Sequence, residues 1–272
     1  MTRSLLLLLT LLLITPFYAQ DKEEILAEAW LLYNSERASW HGTDIFFAKY
    51  PEKKDITGGY FSYSENKKHK CIFYGKEEDP TVLATITFDD SFVPEAADID
   101  VASRKLNAKE KELFIIREKA LNESIKDTLF KMYKNTSLNF IPLIVKDKKK
   151  VYALTGPSIS GVVIFGNDYL LTFDKKNNIA SKKALHQNII PIEYNNSNNE
   201  ATTMHSHTEE TGLLITATDI CTLLLYGPYA NWKQHIVVSK ENVSIWDCSK
   251  EELLVMTREA WEKIQNDNPK EK

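Results

Sequence analysis

Cysteine is scarce: the 272 residues contain three, Cys71, Cys221 and Cys248. An odd count leaves at least one thiol unpaired, so the chain is not a disulfide scaffold. A Cys221–Cys248 bridge stays open, as does a buried thiol at Cys221. No Cys-x-x-Cys pair, Gly-x-Ser-x-Gly elbow or glycine-rich phosphate loop occurs, which removes the motif-borne forms of dithiol, serine-nucleophile and nucleotide chemistry. Internal repeats and low-complexity tracts are absent too. An excess of positive charge is missing: 34 basic residues face 38 acidic ones, a net charge of −4. Phosphate binding needs a basic surface, so nucleic acid is not the expected main partner. Beyond the first twenty residues no stretch is apolar enough to span a membrane.

What is present begins with "MTRSLLLLLTLLLITPFYAQD". Arg3 supplies a positive start, residues 5–14 form a short apolar run, and Pro16 and smaller residues lead to a polar segment. This is the pattern of a secretory signal peptide over 1–19, with cleavage expected after Ala19. The run is short for a bilayer span, and no cysteine near the cut provides a lipid anchor. The expected product is exported, periplasmic or secreted, with no membrane span after signal removal.

The rest suffices for one large or two small domains. Residues 20–137 read as an N-terminal α+β region: two long helices against a small antiparallel sheet. Ile25, Ala29, Leu32 and Tyr33 recur at helical spacing. "YFSYS" and "CIFYG" flank the polar turn "ENKKHK", where His69 is expected to be exposed, and "TVLATITFD" is a third strand. Asn107 and Glu110 open a helix as a capping box. Residues 138–272 read as a mixed sheet with packed helices. "KDKKK" at 146–150 is expected as a solvated hairpin tip, "DKKNN" as a turn and 192–203 as an Asn-rich loop. A helix over 219–226 is expected to stop at Gly227 and Pro228. Two or three strands and a last helix, "REAWEKIQ", follow.

The chemistry concentrates in "TTMHSHTEETGLLITATDICTLLLYGP", residues 202–228. Side chains at i and i+2 of a strand share a face, so His205 and His207 present two imidazoles together. That pair can chelate Zn²⁺ or a similar ion. Asp219, in the first turn of the next helix, is the natural third ligand. Two neutral imidazoles and a carboxylate leave one position for water, the composition of a catalytic zinc site. The plainer reading is local: Thr216 and Asp219 form a Thr-x-x-acid capping box and need do no more than start a helix.

His-x-His followed by Thr-x-x-Asp at the head of an apolar helix resembles the motif of the JAMM (MPN-type) metalloproteases. That family has His-x-His, seven residues, Ser, two residues, Asp. The resemblance implies a JAMM-like domain in which His205, His207 and Asp219 hold zinc. It also implies that Thr216, at the serine position, stabilises the oxyanion. Two departures stand out. Eight residues separate His207 from Thr216, and the upstream glutamate that serves as general acid/base is not found. Residues 136–192 contain no glutamate. Glu112, Glu118 and Glu193 lie outside the family position, and Asp168 and Asp174 read as turn or strand-end residues. His186 is the best substitute, as base or as an extra ligand; Glu209 and Glu210 read as loop charges, and His235 as a strand residue. The resulting expectation is an exported divalent-metal hydrolase acting on a peptide or protein substrate. The alternative is a non-catalytic exported binding protein that retains the fold.

Overall fold

The structure is a computed structural model describing residues 2–194 and 201–267, with side chains from residue 21 onward. It is of the α+β class the sequence implies. Helix α1 spans Thr2–Lys49. Its buried face runs through Ala29, Leu32, Ser35 and Ala38, every third residue, which keeps one stripe of the helix inward. Gly42 continues that stripe: a Cβ there would lie 2.8 Å from Cys71 Cβ, so only glycine lets the helix sit this close to the sheet. Phe46 stacks on Phe73 at 4.0 Å one turn later. Among the described residues no helix is long and apolar enough to cross a membrane.

After a 3-10 turn (Pro51–Ile56) come β1 (Thr57–Glu65), β2 (Lys68–Gly75), β3 (Thr81–Phe88), β4 (Asp98–Asp100) and β5 (Arg104–Lys105). They form an antiparallel sheet ordered β1-β2-β3-β4, with β5 also on β3. The first hairpin turns on two residues, Asn66 and Lys67, both left-handed at φ 51° and 56°, the form that matches strand twist. The turn is therefore shorter than "ENKKHK", and alternation resumes at Lys68. This overturns the expected exposure of His69. It is 4% exposed, shares hydrogen bonds with Ser64 and Asp90, and stacks on Phe92 at 4.6 Å.

Helix α2 (Ala108–Lys126) carries the expected capping box between Asn107 and Glu110 and buries Leu113, Ile116 and Ala120. Strands β6 (Thr136–Val145), β7 (Lys148–Pro157), β9 (Tyr169–Phe173) and β10 (Ile179–Ala184) make a second antiparallel sheet ordered β10-β9-β7-β6. The basic run is only partly a hairpin tip. Lys146 and Asp147 turn, whereas Lys148, Lys149 and Lys150 belong to β7, and Lys149 is buried and paired with Glu112 at 2.7 Å. β8 (Val162–Gly166) pairs with β11 (Ile189–Glu193). Half of the Asn-rich segment, residues 195–200, lies outside the described residues.

The last sheet is mixed. β12 (Ala201–Ser206) runs parallel to β13 (Trp232–Val238), followed antiparallel by β14 (Asn242–Asp247) and β15 (Glu252–Thr257). Helix α3 (Ala217–Ala230) connects β12 to β13, and α4 (Arg258–Asp267) closes the described chain. The expected stop at Gly227 and Pro228 is corrected: α3 continues through both and ends at Asn231, left-handed at φ 52°. Proline removes one N–H and one intrahelical bond, and in the last turn of a helix buried along most of its length that loss is tolerated.

The largest core joins Ala29 and Leu32 of α1 to Tyr152, Phe165, α3, Trp232 and Trp246. A separate cluster packs Ala38 and Phe46 of the same helix against β2 and β3. Helix α1 thus packs on elements from both sides of residue 137. All three cysteines are free thiols.

Candidate metal centre

His205 sits near the end of β12 and His207 just beyond it, where its N–H donates to Val238 O at 2.9 Å. Their imidazoles meet, with Nε2 atoms 3.0 Å apart. The chain then returns through 208–215, with a left-handed Gly212 at φ 119°, and enters α3 at Thr216. This return takes up the eight-residue spacing and sets Asp219 against both histidines. Its Oδ2 is 3.3 Å from His207 Nε2 and its Oδ1 is 3.8 Å from His205 Nε2.

His186 comes from the loop between β10 and β11, placing its Nε2 3.2 Å from Asp219 Oδ1. The local chain path explains this position. At the end of β8, Gly166 is left-handed at φ 79°, and a Cβ there would lie 2.2 Å from Asn188 O. The close approach holds 186–188 against the 166–168 bend, where Leu185 N–H donates to Asp168 O at 2.7 Å. His186, His205, His207 and Asp219 are all buried, each offering a ligand atom within 4.8 Å of the others. Of the six histidines in the chain, three belong to this group and a fourth, His235, touches it.

Three of the four donors are held from behind. His207 Nδ1 is 3.0 Å from Leu214 O; a carbonyl only accepts, so Nδ1–H donates and the neutral ring presents Nε2 as a lone pair. His205 Nδ1 lies 2.8 Å from His235 Nε2, and His235 Nδ1 lies 2.7 Å from Thr203 Oγ1. Phe165 stacks on His235 at 4.5 Å and fixes its plane. Asp219 Oδ2 accepts from Thr216 N at 2.9 Å and Thr216 Oγ1 at 2.7 Å. Such outer partners set ligand tautomer and orientation in metal sites. His186 differs: neither ring nitrogen makes a well-formed hydrogen bond, and Asp219 Oδ1 makes none either. Behind His186 stands Asp168, its Oδ2 3.7 Å from Nδ1 and its Oδ1 accepting from Thr155 N at 2.9 Å.

The electrostatics follow from burial and mutual charge. Burial pushes His205 down to about 4 and His235 down to about 3. Burial acts the same way on His186, but Asp219 and Asp168 outweigh it and raise the ring to about 9. Burial would raise Asp219, yet His186, His207 and His205 hold its carboxyl well below the usual range. Asp168 is pushed up to about 7 by burial, with His186 opposing. The cluster by itself therefore balances the Asp219 carboxylate with an imidazolium at His186, the charge a cation would otherwise supply.

The residues fit a small divalent cation. Four-coordinate zinc with ligand bonds of about 2.0–2.1 Å sets ligand atoms about 3.3–3.4 Å apart; the His205–His207 contact and the three contacts to Asp219 run from 3.0 to 3.8 Å, and the whole group lies within 4.8 Å. Two buried atoms without a hydrogen-bond partner, His186 Nε2 and Asp219 Oδ1, lie 3.2 Å apart within the group. Nitrogen and carboxylate donors suit zinc and neighbouring first-row ions, and the donor set does not select among them.

Thr216, expected as an oxyanion donor, gives its hydroxyl hydrogen to Asp219 and accepts from Asp219 N at 3.1 Å; it caps α3 and orients the carboxylate. Among the described residues no glutamate joins the cluster. Glu112 pairs with Lys149, Glu118 accepts from Tyr74, and Glu209 pairs with Lys240. Asp168 and His235 are the neighbours that local reading of the sequence does not single out. The one signal is that His235 lies opposite Thr203 in the β12–β13 register, which puts it on the His205 face once that pairing is known.

A cleft of about 950 Å³ opens beside the centre, lined by Thr216, Ala217 and Thr218 of the α3 entrance and by Leu185, the neighbour of His186. Comparison of the chain with family models, with curated proteins and with solved structures gave no match in any of the three.

Proposed function

We propose that this chain is an exported divalent-metal hydrolase acting on peptide or isopeptide-like amides, with zinc as the metal. One observation carries the reading. His205, His207 and Asp219 are each anchored by a second partner, whereas His186 is buried beside them with no well-formed hydrogen bond at either nitrogen. Anchored groups suit ligands; an unanchored imidazole at hydrogen-bonding range of the same point suits proton transfer. His205, His207 and Asp219 would hold the cation, which supplies Lewis acidity toward an amide carbonyl and makes water acidic near neutral pH. His186 then moves the proton at its Nε2, and the Asp168 carboxyl, 3.7 Å behind Nδ1, balances its charge. Thr216 keeps Asp219 in place. Substrate would enter by the 950 Å³ cleft, whose wall includes the exposed edge of Thr216. The resemblance of His205-x-His207 and Thr216-x-x-Asp219 to the JAMM motif supports the same class, with His186 and Asp168 in place of the family glutamate. The apolar run at 5–14 supports export.

A second reading has its own observation. All four donors are buried, with His205 and His207 each 7% exposed, and four protein ligands are the pattern of closed structural sites. In that case His186 is the fourth ligand and the protein is a non-catalytic binding module. Metal content and amide hydrolysis, measured together on the mature protein and on His186→Gln, separate the two. A hydrolase retains near-stoichiometric zinc in the variant and loses about 10²–10⁴-fold in rate. A closed site loses its zinc, and the wild type cleaves nothing.

A further inference from the structure

A second cleft of about 680 Å³ lies at the other end of α3. Asp219 and Tyr226 are seven residues apart, about 10 Å along a helix axis, so this cleft is separate from the metal centre. Several elements build it. Glu36 and Trp40 come from α1, Tyr60 from β1, Arg117 from α2, Asn139 from β6, and Tyr226 and Tyr229 from α3.

Its polar floor is under-satisfied. The Glu36 carboxylate accepts one hydrogen bond, from Asn139 Nδ2 at 3.2 Å, and burial pushes its carboxyl up to about 7. Arg117 uses Nη1 on Tyr74 Oη and Glu118 Oε1, at 2.9 and 3.0 Å, while its buried Nε has no partner. Serine hydroxyls continue the floor: Ser39 Oγ is 2.8 Å from Ser62 Oγ. The mouth, by contrast, is aromatic and open. Trp40 is 43% and Tyr229 63% exposed, their ring centroids are 6.0 Å apart at 32°, and Tyr226 lies 6.4 Å from Trp40.

These groups define the ligand by complementarity. A carboxylate and a guanidinium lining one cleft disfavour a ligand of single charge, whichever its sign. The floor asks for a donor toward Glu36 and an acceptor toward Arg117. The mouth offers flat apolar faces that favour a rigid ring with C–H groups on one side. Aromatic faces beside converging polar groups, within the usual volume of small-molecule sites, are features of a binding pocket. We infer that this cleft binds a saccharide, with a pyranose ring on Trp40 and Tyr229 and its hydroxyls on Glu36, Asn139 and Arg117.

The inference stands independently of the metal reading. Its test is titration of the full mature chain with glucose-, galactose- and N-acetylglucosamine-type oligosaccharides, followed by calorimetry and tryptophan fluorescence. Free glycine and alanine serve as zwitterionic controls. Saturable binding of one oligosaccharide series is expected. Trp40→Ala, a change at an exposed position, should weaken it roughly tenfold, the equivalent of about one stacking contact. Glu36→Gln should weaken it by a similar factor, and His205→Ala should leave it unchanged. Three results would overturn the inference: no oligosaccharide binding at millimolar concentration, saccharide binding undiminished in both Trp40→Ala and Glu36→Gln, or binding of the amino acids alone.

Discussion

Two helices of this protein begin with the same device. Asn107 and Glu110 cap α2, Thr216 and Asp219 cap α3, and both boxes are complete. Both acids are buried, at 1% exposure. Their second oxygens meet different surroundings. Glu110 is saturated: Arg104 donates to both oxygens, at 2.6 and 2.9 Å, and Tyr63 Oη donates at 3.1 Å. Asp219 has its Oδ2 on the cap and beside His207, its Oδ1 faces His186 and His205, and among the described residues no Lys or Arg pairs with it. One capping acid therefore has a permanent protein cation as counter-charge, and the other belongs to a buried His/Asp group that could hold a cation from outside. A cap motif fixes where a helix starts; distant residues decide whether its acid also does chemistry.

Matched amide substitutions test this contrast most directly. Asp219→Asn keeps an acceptor for the Thr216 N–H but removes the charge, so elemental analysis should show zinc lost from the purified protein. Glu110→Gln should leave zinc content intact and destabilise the fold by about 1–3 kcal/mol, because the half-buried Arg104 loses its charged partner. Denaturant titration reads that difference. Equal zinc loss in both variants would break the comparison.

A smaller effect is expected one step behind the ligands. His235→Gln leaves all four donors in place and removes the partner of His205 Nδ1. Zinc affinity, measured by competition with a chelator, should fall about 10–100-fold. An unchanged affinity would show that the buried His235 only fills the core beside Phe165.

The smallest effect is in the pH dependence of the metal-free protein. His186 is raised to about 9 by Asp219 and Asp168, from an unfolded value of about 6.5. The stability it contributes is present in full below about pH 6.5 and is lost as pH rises through 9. Thermal unfolding should therefore shift downward between pH 6.5 and 9 without metal. His186→Gln should flatten that slope, and no analogous slope should arise in this window from the Glu110–Arg104 pair. A slope that survives in the variant would place its origin elsewhere.

The parts of the site that the sequence reveals are those close together along the chain. His205 and His207 share a strand face by the two-residue period, and Thr216 and Asp219 form a box by helical spacing. The same holds for the α2 cap and most strands. Readings failed where a local rule met a tertiary condition. His69 became buried because the hairpin turned on two residues rather than six. Lys149 became buried because Glu112 lay across from it. Helix α3 passed through Pro228 because the surrounding core outweighed one missing hydrogen bond. Asp168 carries no local mark at all, and His235 none without the β12–β13 pairing.

By itself, then, the sequence determined the α+β class, the two capping boxes and a His-x-His pair aimed at one side of a strand, because each depends on backbone periodicity and neighbouring side chains. Only the tertiary structure decided that His186 reaches that pair, that Asp168 stands behind it, and that His235 holds His205. Those contacts cross 18 to 33 positions in the chain. They exist because Gly166 admits Asn188 at close range and because β12 runs parallel to β13 with α3 between them. Spacing along a chain carries no information about which remote segments a core will bring together.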